Sequence, residues 1–156
     1  MKKQAETLVL RQGRPDDWAA VGALVAGAGL PVADLDEASM VRFTLATRPS
    51  LRGEPVTGVI GLQSFAEVGL LRSLVVAKSA RSAGCGSKLV QAIERIANDA
   101  GVRQLWLLTT DARGYFENRG FQAVSRELAP QAIRQTAEFT SLCPASAVLM
   151  MKTLRH

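Results

Sequence analysis

Histidine and cysteine are almost missing from this chain: the single histidine is the C-terminal His156, and the two cysteines, Cys85 and Cys143, stand far apart. That scarcity argues against a zinc site and against the histidine-based triads and dyads that activate a serine or cysteine. No metal is expected. Aromatic residues make up only 5% of the sequence, too few for a stacking platform on nucleic acid. The net charge is +5, but the basic residues are scattered and carry no recognisable motif, so no nucleic-acid partner is expected. No apolar run reaches the roughly 20 residues that a bilayer-spanning helix needs. Met1–Glu6 passes directly into strand-like sequence without the apolar core of a secretion signal. The expected location is therefore cytoplasmic, with no membrane contact.

What remains is an ordinary globular composition, 47% hydrophobic and 21% charged over 156 residues. That length suits one domain, residues 1–156, with a real core. A pI near 9.8 favours anionic ligands without naming one. The most informative stretch runs from Gly69 to Ala100. Leu70–Val76 reads as a buried central strand, and Leu89, Ile93, Ile96, Ala97 and Ala100 recur at helical spacing. Between them lies Arg81-Ser82-Ala83-Gly84-Cys85-Gly86. Strand, glycine-bearing loop and helix make an anion site. First-turn amides lack intrahelical partners, and glycine lets a phosphate come close. Gly86-Ser87-Lys88 lacks the spacing of a nucleotide-binding P-loop.

Taken in order, the rest of the chain predicts a strand at Thr7–Arg11 and a helix opening at Pro15, its first turn carrying Asp16 and Asp17 for the dipole. A weaker helix is expected around Glu37 to Thr44, and turn material from Arg48 to Pro55. Strands follow at Val56–Ser64, Leu70–Val76, Gln104–Thr110, Phe121–Val124 and Ala145–Thr153. Helices are expected from about Ser82 to Ala100, ending at Gly101, after an Asp111 N-cap, and over Ala129–Thr136. The element order, β-α-α-β-β-β-α-β-α-β-α-β, indicates a mixed α/β domain with helices flanking a central sheet. Trp18 and Trp106 read as core or interface residues, and Cys143 as a small buried thiol.

Val76 to Val90, with Arg81-Ser82-Ala83-Gly84-Cys85-Gly86 at its centre, resembles the acetyl-CoA-binding motif of GCN5-related N-acetyltransferases (GNAT), (Arg/Gln)-x-x-Gly-x-(Gly/Ala). Tyr115-Phe116-Glu117-Asn118-Arg119-Gly120-Phe121 resembles the second motif of that family, an aromatic residue four before a Gly-Phe pair. The two occur in the family's order, one helix and one strand apart. The resemblance implies the acyl-CoA N-acyltransferase fold, a mixed central sheet flanked by helices, with acetyl-CoA as cosubstrate. It assigns the loop Arg81, Ser82, Ala83, Gly84, Cys85, Gly86 and Ser87 to the pyrophosphate. Main-chain groups of Leu74, Val75 and Val76 are assigned to the pantetheine arm, and Phe116 to the cofactor as well. Gly29-Leu30-Pro31 with Asp34-Leu35, Leu70–Leu74 and the tail Thr136–Ala147 further resemble acetyltransferases encoded in bacterial arsenic-resistance operons. Relatives of that group acetylate the amino group of phosphinothricin-like or arsinothricin-like amino acids.

Acetyl transfer requires a neutral amine, support for the oxyanion and a proton for the departing thiolate. The resemblance gives the oxyanion to the Val75 N–H. The family's usual acid is a tyrosine where this chain has Phe116, so Tyr115 is the candidate acid, one residue earlier and about 100° around a helix. Glu67 is the candidate base by position, acting through water, or a solvated residue at the start of the strand. Arg72, charged in an apolar strand, either grips a substrate carboxylate or pairs with an internal acid. Leu30, Thr109 and Thr110 are the remaining candidates for acceptor binding, the threonines also being able to cap the next helix. A small-molecule amine is the expected partner and a homodimer is left open. The rival reading is a non-catalytic acyl-CoA sensor, motivated by Phe116.

Overall fold

The structure, a computed structural model, describes residues 8–49 and 52–154. In chain order the elements are β1 (Val9–Gln12), α1 (Trp18–Gly27), β2 (Phe43–Thr47), β3 (Val56–Phe65), β4 (Val68–Val76), α2 (Cys85–Asp99), β5 (Gln104–Thr109), α3 (Arg113–Glu117), β6 (Gln122–Val124), α4 (Gln131–Arg134) and β7 (Val148–Thr153). One mixed sheet has the order β1-β2-β3-β4-β5-β7-β6. Its β4–β5 pair is parallel, whereas β1–β2, β2–β3, β5–β7 and β6–β7 are antiparallel. The mixed α/β expectation holds. Among the described residues no helix is long and apolar enough to cross a membrane.

Two compact units divide the chain, Met1–Gly61 with Ser73–Ile93, and Leu62–Arg72 with Glu94–His156. In the first, Val21 and Val25 of α1 pack with Met40, Phe43, Leu45, Val59 and Val75. Burying each of the larger side chains contributes about 1.5–3 kcal/mol. In the second, Leu70, Trp106 and Leu149 on the sheet pack with Ala129 and Ile133 from the connection between β6 and β7.

The differences from the sequence reading have local causes. The helix expected around Glu37 to Thr44 is a 3-10 turn, Glu37–Arg42, started by Asp36, which accepts the Ser39 N–H at 2.9 Å. It stops because Phe43-Thr44-Leu45-Ala46-Thr47 is buried throughout as β2, and aromatic and β-branched residues suit a covered strand. Asp17 does not serve the helix dipole alone: it takes two hydrogen bonds from the Arg11 guanidinium, 2.8 and 2.7 Å, and one from the Arg14 N–H. Asp111 does not cap α3; the Thr109 hydroxyl accepts the Ala112 N–H at 3.0 Å instead. The end of α2 follows expectation. Gly101, at φ +87°, lets the Val102 N–H reach back to the Ala97 carbonyl at 2.9 Å while its own N–H bonds Asn98, a Schellman closure. The expected strand at Thr7 begins at Val9, and Met1–Thr7 lie outside the described residues.

Candidate active site

The sequence Val76-Ala77-Lys78 leaves the sheet with a backbone bond from the Ala77 N–H to the Thr57 carbonyl, 2.7 Å. A 3-10 turn over Lys78–Ala83 follows, then Gly84 in the left-handed region at φ +72°, then α2 from Cys85. The helix thus starts three residues later than Ser82. Cys85, Gly86 and Ser87 are its first turn rather than loop. The Lys88 N–H bonds the Gly84 carbonyl at 3.1 Å, so Cys85, Gly86 and Ser87 form the first turn of α2, where helix amides characteristically face outward. A Cβ added at Gly84 would meet nothing within 4 Å, so the glycine is required by its backbone angle and the space above it is clear.

Two contacts fix this turn from below. Arg48, expected as turn material, is buried and donates from Nη2 to the Ser79 carbonyl at 2.8 Å. Cys85 is fully buried, and its sulfur sits so near β3 that a Cβ at Gly58 would come within 2.8 Å of Sγ and 2.9 Å of Leu89 Cδ1. Glycine at 58 therefore lets α2 approach the sheet. Burial pushes the Cys85 thiol up, against smaller opposing effects of a hydrogen bond with Thr57 and the charges of Lys88 and Arg48. Lys78, Arg81 and Lys88 are exposed around the turn, and the Arg81 Nε–H bonds back to the Val76 carbonyl at 3.1 Å.

Strand β4 carries a second irregularity. Ser73 sits at φ +58° inside the strand, a left-handed excursion that re-aims a strand as bulges do. The pairing with β5 covers Val68–Gln104, Gly69–Leu105 and Leu70–Trp106, whereas β4 itself continues to Val76. Of the three residues assigned to the pantetheine arm, Leu74 and Val76 are half-buried, and Val75 is in the core.

The remaining candidates fall in different places. Glu67 is in the turn between β3 and β4, its side chain 71% exposed and 3.6 Å from the Arg103 Nε. It immediately precedes β4, Val68–Val76. Its backbone does have a structural role, accepting from the Arg103 and Gln104 N–H groups. Arg72 has found an internal acid: its Nε lies 3.3 Å from Glu138 Oε1, with the side chains 2% and 5% exposed. Glu138 begins a π-helical turn, Glu138–Leu142, a rare form that clusters at functional sites. Cys143, half-buried rather than buried, closes that turn with its N–H on the Glu138 carbonyl.

Phe116 is buried edge-to-face with Phe121, 5.5 Å between centroids. The Tyr115 ring stands edge-to-face with that of Phe116 at 5.2 Å, with the Arg119 guanidinium 3.5 Å above its centroid. Thr109 uses its hydroxyl on Ala112, Thr110 is exposed, and Leu30 packs against the first core cluster. Arg48, Ser73 and the pairing role of Glu138 were not found from sequence. An arginine between Thr47 and Pro49 reads as a turn, and no local pattern announces a left-handed serine in an apolar strand.

A glycine-started helix after a kinked central strand, followed by an aromatic-Gly-Phe turn, now sits within a seven-stranded mixed sheet. Residues 22–123 match the acetyltransferase (GNAT) domain family, and the chain belongs to that family. An uncharacterized N-acetyltransferase of Chlorobaculum tepidum is 31% identical over 85 residues, 54% of each protein. The amino-acid acetyltransferase of Edwardsiella ictaluri is 32% identical over 97 residues, 61% of this chain and 21% of that protein. Thus the matched region spans about half of the first relative and about a fifth of the second. Among solved structures, N-acetylglutamate synthase from Neisseria gonorrhoeae, complexed with coenzyme A and N-acetyl-glutamate, superimposes with a TM-score of 0.82 at 22% identity, over 99% of this chain and 36% of that one. PaiA N-acetyltransferase from Thermoplasma acidophilum, in complex with coenzyme A, gives 0.65 at 15% identity, over 94% and 99%.

Proposed function

We propose that the chain is an acetyl-CoA-dependent N-acetyltransferase whose acceptor is the amino group of a small amino acid or amino-acid-like compound. The observation that carries this reading is the turn at Gly84: a left-handed glycine under clear space, followed by the first-turn amides of a 15-residue helix. These features fit a pyrophosphate, whose oxygens would accept from the Cys85, Gly86 and Ser87 N–H groups, with Lys78, Arg81 and Lys88 supplying positive charge. Acetyl-CoA would supply an activated acetyl group on a thioester. Main-chain groups of Leu74, Val75 and Val76 would hold the amide-rich arm as an added strand is held. The Val75 N–H would support the developing oxyanion.

No side chain is assigned here as the general base. A thiol pKa near 8.5 lets water reprotonate the departing thiolate, so a buried Phe116 in the tyrosine position is compatible with turnover. The amino-acid acceptor is supported by the relatives named amino-acid acetyltransferase. A phosphinothricin-like or arsinothricin-like acceptor, and with it a role in arsenic resistance, rests on the resemblance in Leu30, Leu70–Leu74 and Thr136–Ala147. A non-catalytic acyl-CoA sensor is the second reading, favoured by Phe116 alone.

The direct test is thermal stabilisation by acetyl-CoA, followed by acceptor-dependent thiol release across amino acids and their phosphino and arsino analogues. No shift in melting temperature at millimolar acetyl-CoA removes the whole proposal. A shift without thiol release for any acceptor leaves the sensor.

A further inference from the structure

Arg48 follows the last residue of β2 and is only 7% exposed. Taking a guanidinium out of water is costly, and such a charge persists where its surroundings use it. Its backbone is held by the Arg48 N–H on the Pro55 carbonyl at 3.2 Å. Its side chain reaches the 3-10 turn Lys78–Ala83, where Nη2 donates to the Ser79 carbonyl at 2.8 Å. Thr57 of β3 supplies the neighbouring ties. Its carbonyl accepts the Ala77 N–H at 2.7 Å, and its hydroxyl donates to the Ala46 carbonyl at 3.2 Å. Arg48, Thr57, Ala77, Ser79 and Cys85 all lie in one compact unit.

The position of this charge matters as much as the bond. Lys78, Arg81 and Lys88 are exposed around the turn, and Arg48 adds a buried cation beneath it. Its field reaches the first residue of α2, where it acts on the Cys85 thiol. Like charges gathered at one turn repel in the empty protein, and a bound polyanion turns that repulsion into attraction. A buried charge is also screened by salt much less than exposed ones.

Resting on the cofactor turn proposed above, we propose that Arg48 is a positioning residue for the pyrophosphate. It fixes the Lys78–Ala83 turn through the Ser79 carbonyl and places a positive charge below the first-turn amides of α2. It does so from inside the fold, without touching the ligand.

The experiment measures the Kd for acetyl-CoA by calorimetry in the wild type, Arg48→Met and Arg48→Lys. Methionine fills space without a charge or a donor, whereas lysine keeps both. Arg48→Met should bind about tenfold more weakly, the lower end for a lost hydrogen bond from a charged group, and Arg48→Lys should recover most of that loss. A residue that only packs would not give this pattern. Wild-type affinity in Arg48→Met, or Arg48→Lys binding no better than Arg48→Met, overturns the inference. If Arg48→Met does not fold, Arg48→Gln is read in its place with the same expectation, because its amide nitrogen ends where arginine has Nε. With an acceptor in hand, its KM should be equal in all the proteins; a rise matching that for acetyl-CoA marks general damage and also overturns the role. Wild-type protein that binds no acetyl-CoA removes the cofactor turn itself. Wild-type binding with an unaffected Arg48→Met removes only the role of Arg48.

Discussion

Breaking the Arg72–Glu138 pair from one side should be among the most damaging changes to this fold. Both side chains are nearly inaccessible, at 2% and 5% exposure, with 3.3 Å between Nε and Oε1. Removing one partner takes away the opposite charge nearest to the other in a dry setting, a loss of roughly 3–5 kcal/mol. Arg72→Met and Glu138→Leu should each show it. At about 3 °C per kcal/mol for a protein of this size, each variant should melt about 9–15 °C lower. The double variant should recover most of the loss, because two apolar side chains replace a desolvated pair without leaving a charge behind. The assay is urea unfolding of all four proteins, read as a double-mutant cycle. Single losses below about 1 kcal/mol that simply add would refute the reasoning, since water would then be reaching both groups. The double variant also separates the two roles of Arg72. If the guanidinium also grips an acceptor carboxylate, the restored protein will have a raised acceptor KM; if its role is structural, the KM will match wild type.

Other outcomes are accessible to simple assays. Gly84→Val must hold φ near +72°, which a branched residue resists. It should lose stabilisation by acetyl-CoA, and retained stabilisation in a thermal scan would move the cofactor elsewhere. Gly58→Val would drive a side chain into Cys85 and Leu89, costing about 1–3 kcal/mol of overpacking in urea titrations and weakening acetyl-CoA binding by shifting the first turn of α2. The Asp17 carboxyl is held below its ordinary value, chiefly by the hydrogen bond from Arg11. Because its folded pKa is the lower one, its contribution is full above the unfolded value and disappears as pH falls through the folded value. Asp17→Asn should therefore destabilise at neutral pH and flatten the acid limb of stability below the ordinary carboxylate range. An unchanged acid limb would place the pair's contribution near zero.

The parts of this molecule that were legible in sequence are those that local physics decides. Leu70–Val76 reads as a central strand because both its faces are covered. The end of α2 reads from Gly101, and the cofactor turn from glycines placed between a strand and an amphipathic helix. Long-range contacts were harder to read. Nothing near Phe43–Thr47 distinguishes a short buried strand from the tail of a helix until β1 and β3 flank it. Glu67 reads from sequence as the residue entering the central strand, and its exposed side chain stands beside Arg103, which comes from further along the chain. Arg72 showed by its charge that it needed a partner, but Glu138 lies 66 positions later and only folding brings them to 3.3 Å.

The contact between Cys85 and β3 has a kinetic consequence. A thiol with no exposed surface, lodged over a glycine, can meet an alkylating reagent only when the first turn of α2 lifts from the sheet. Its labelling rate then reports the fraction of time that turn spends open, a free energy of local opening distinct from global unfolding. A bound pyrophosphate would hold the same turn through its amides. Cys85 thus serves as a clock for the anion site, readable without any knowledge of the acceptor.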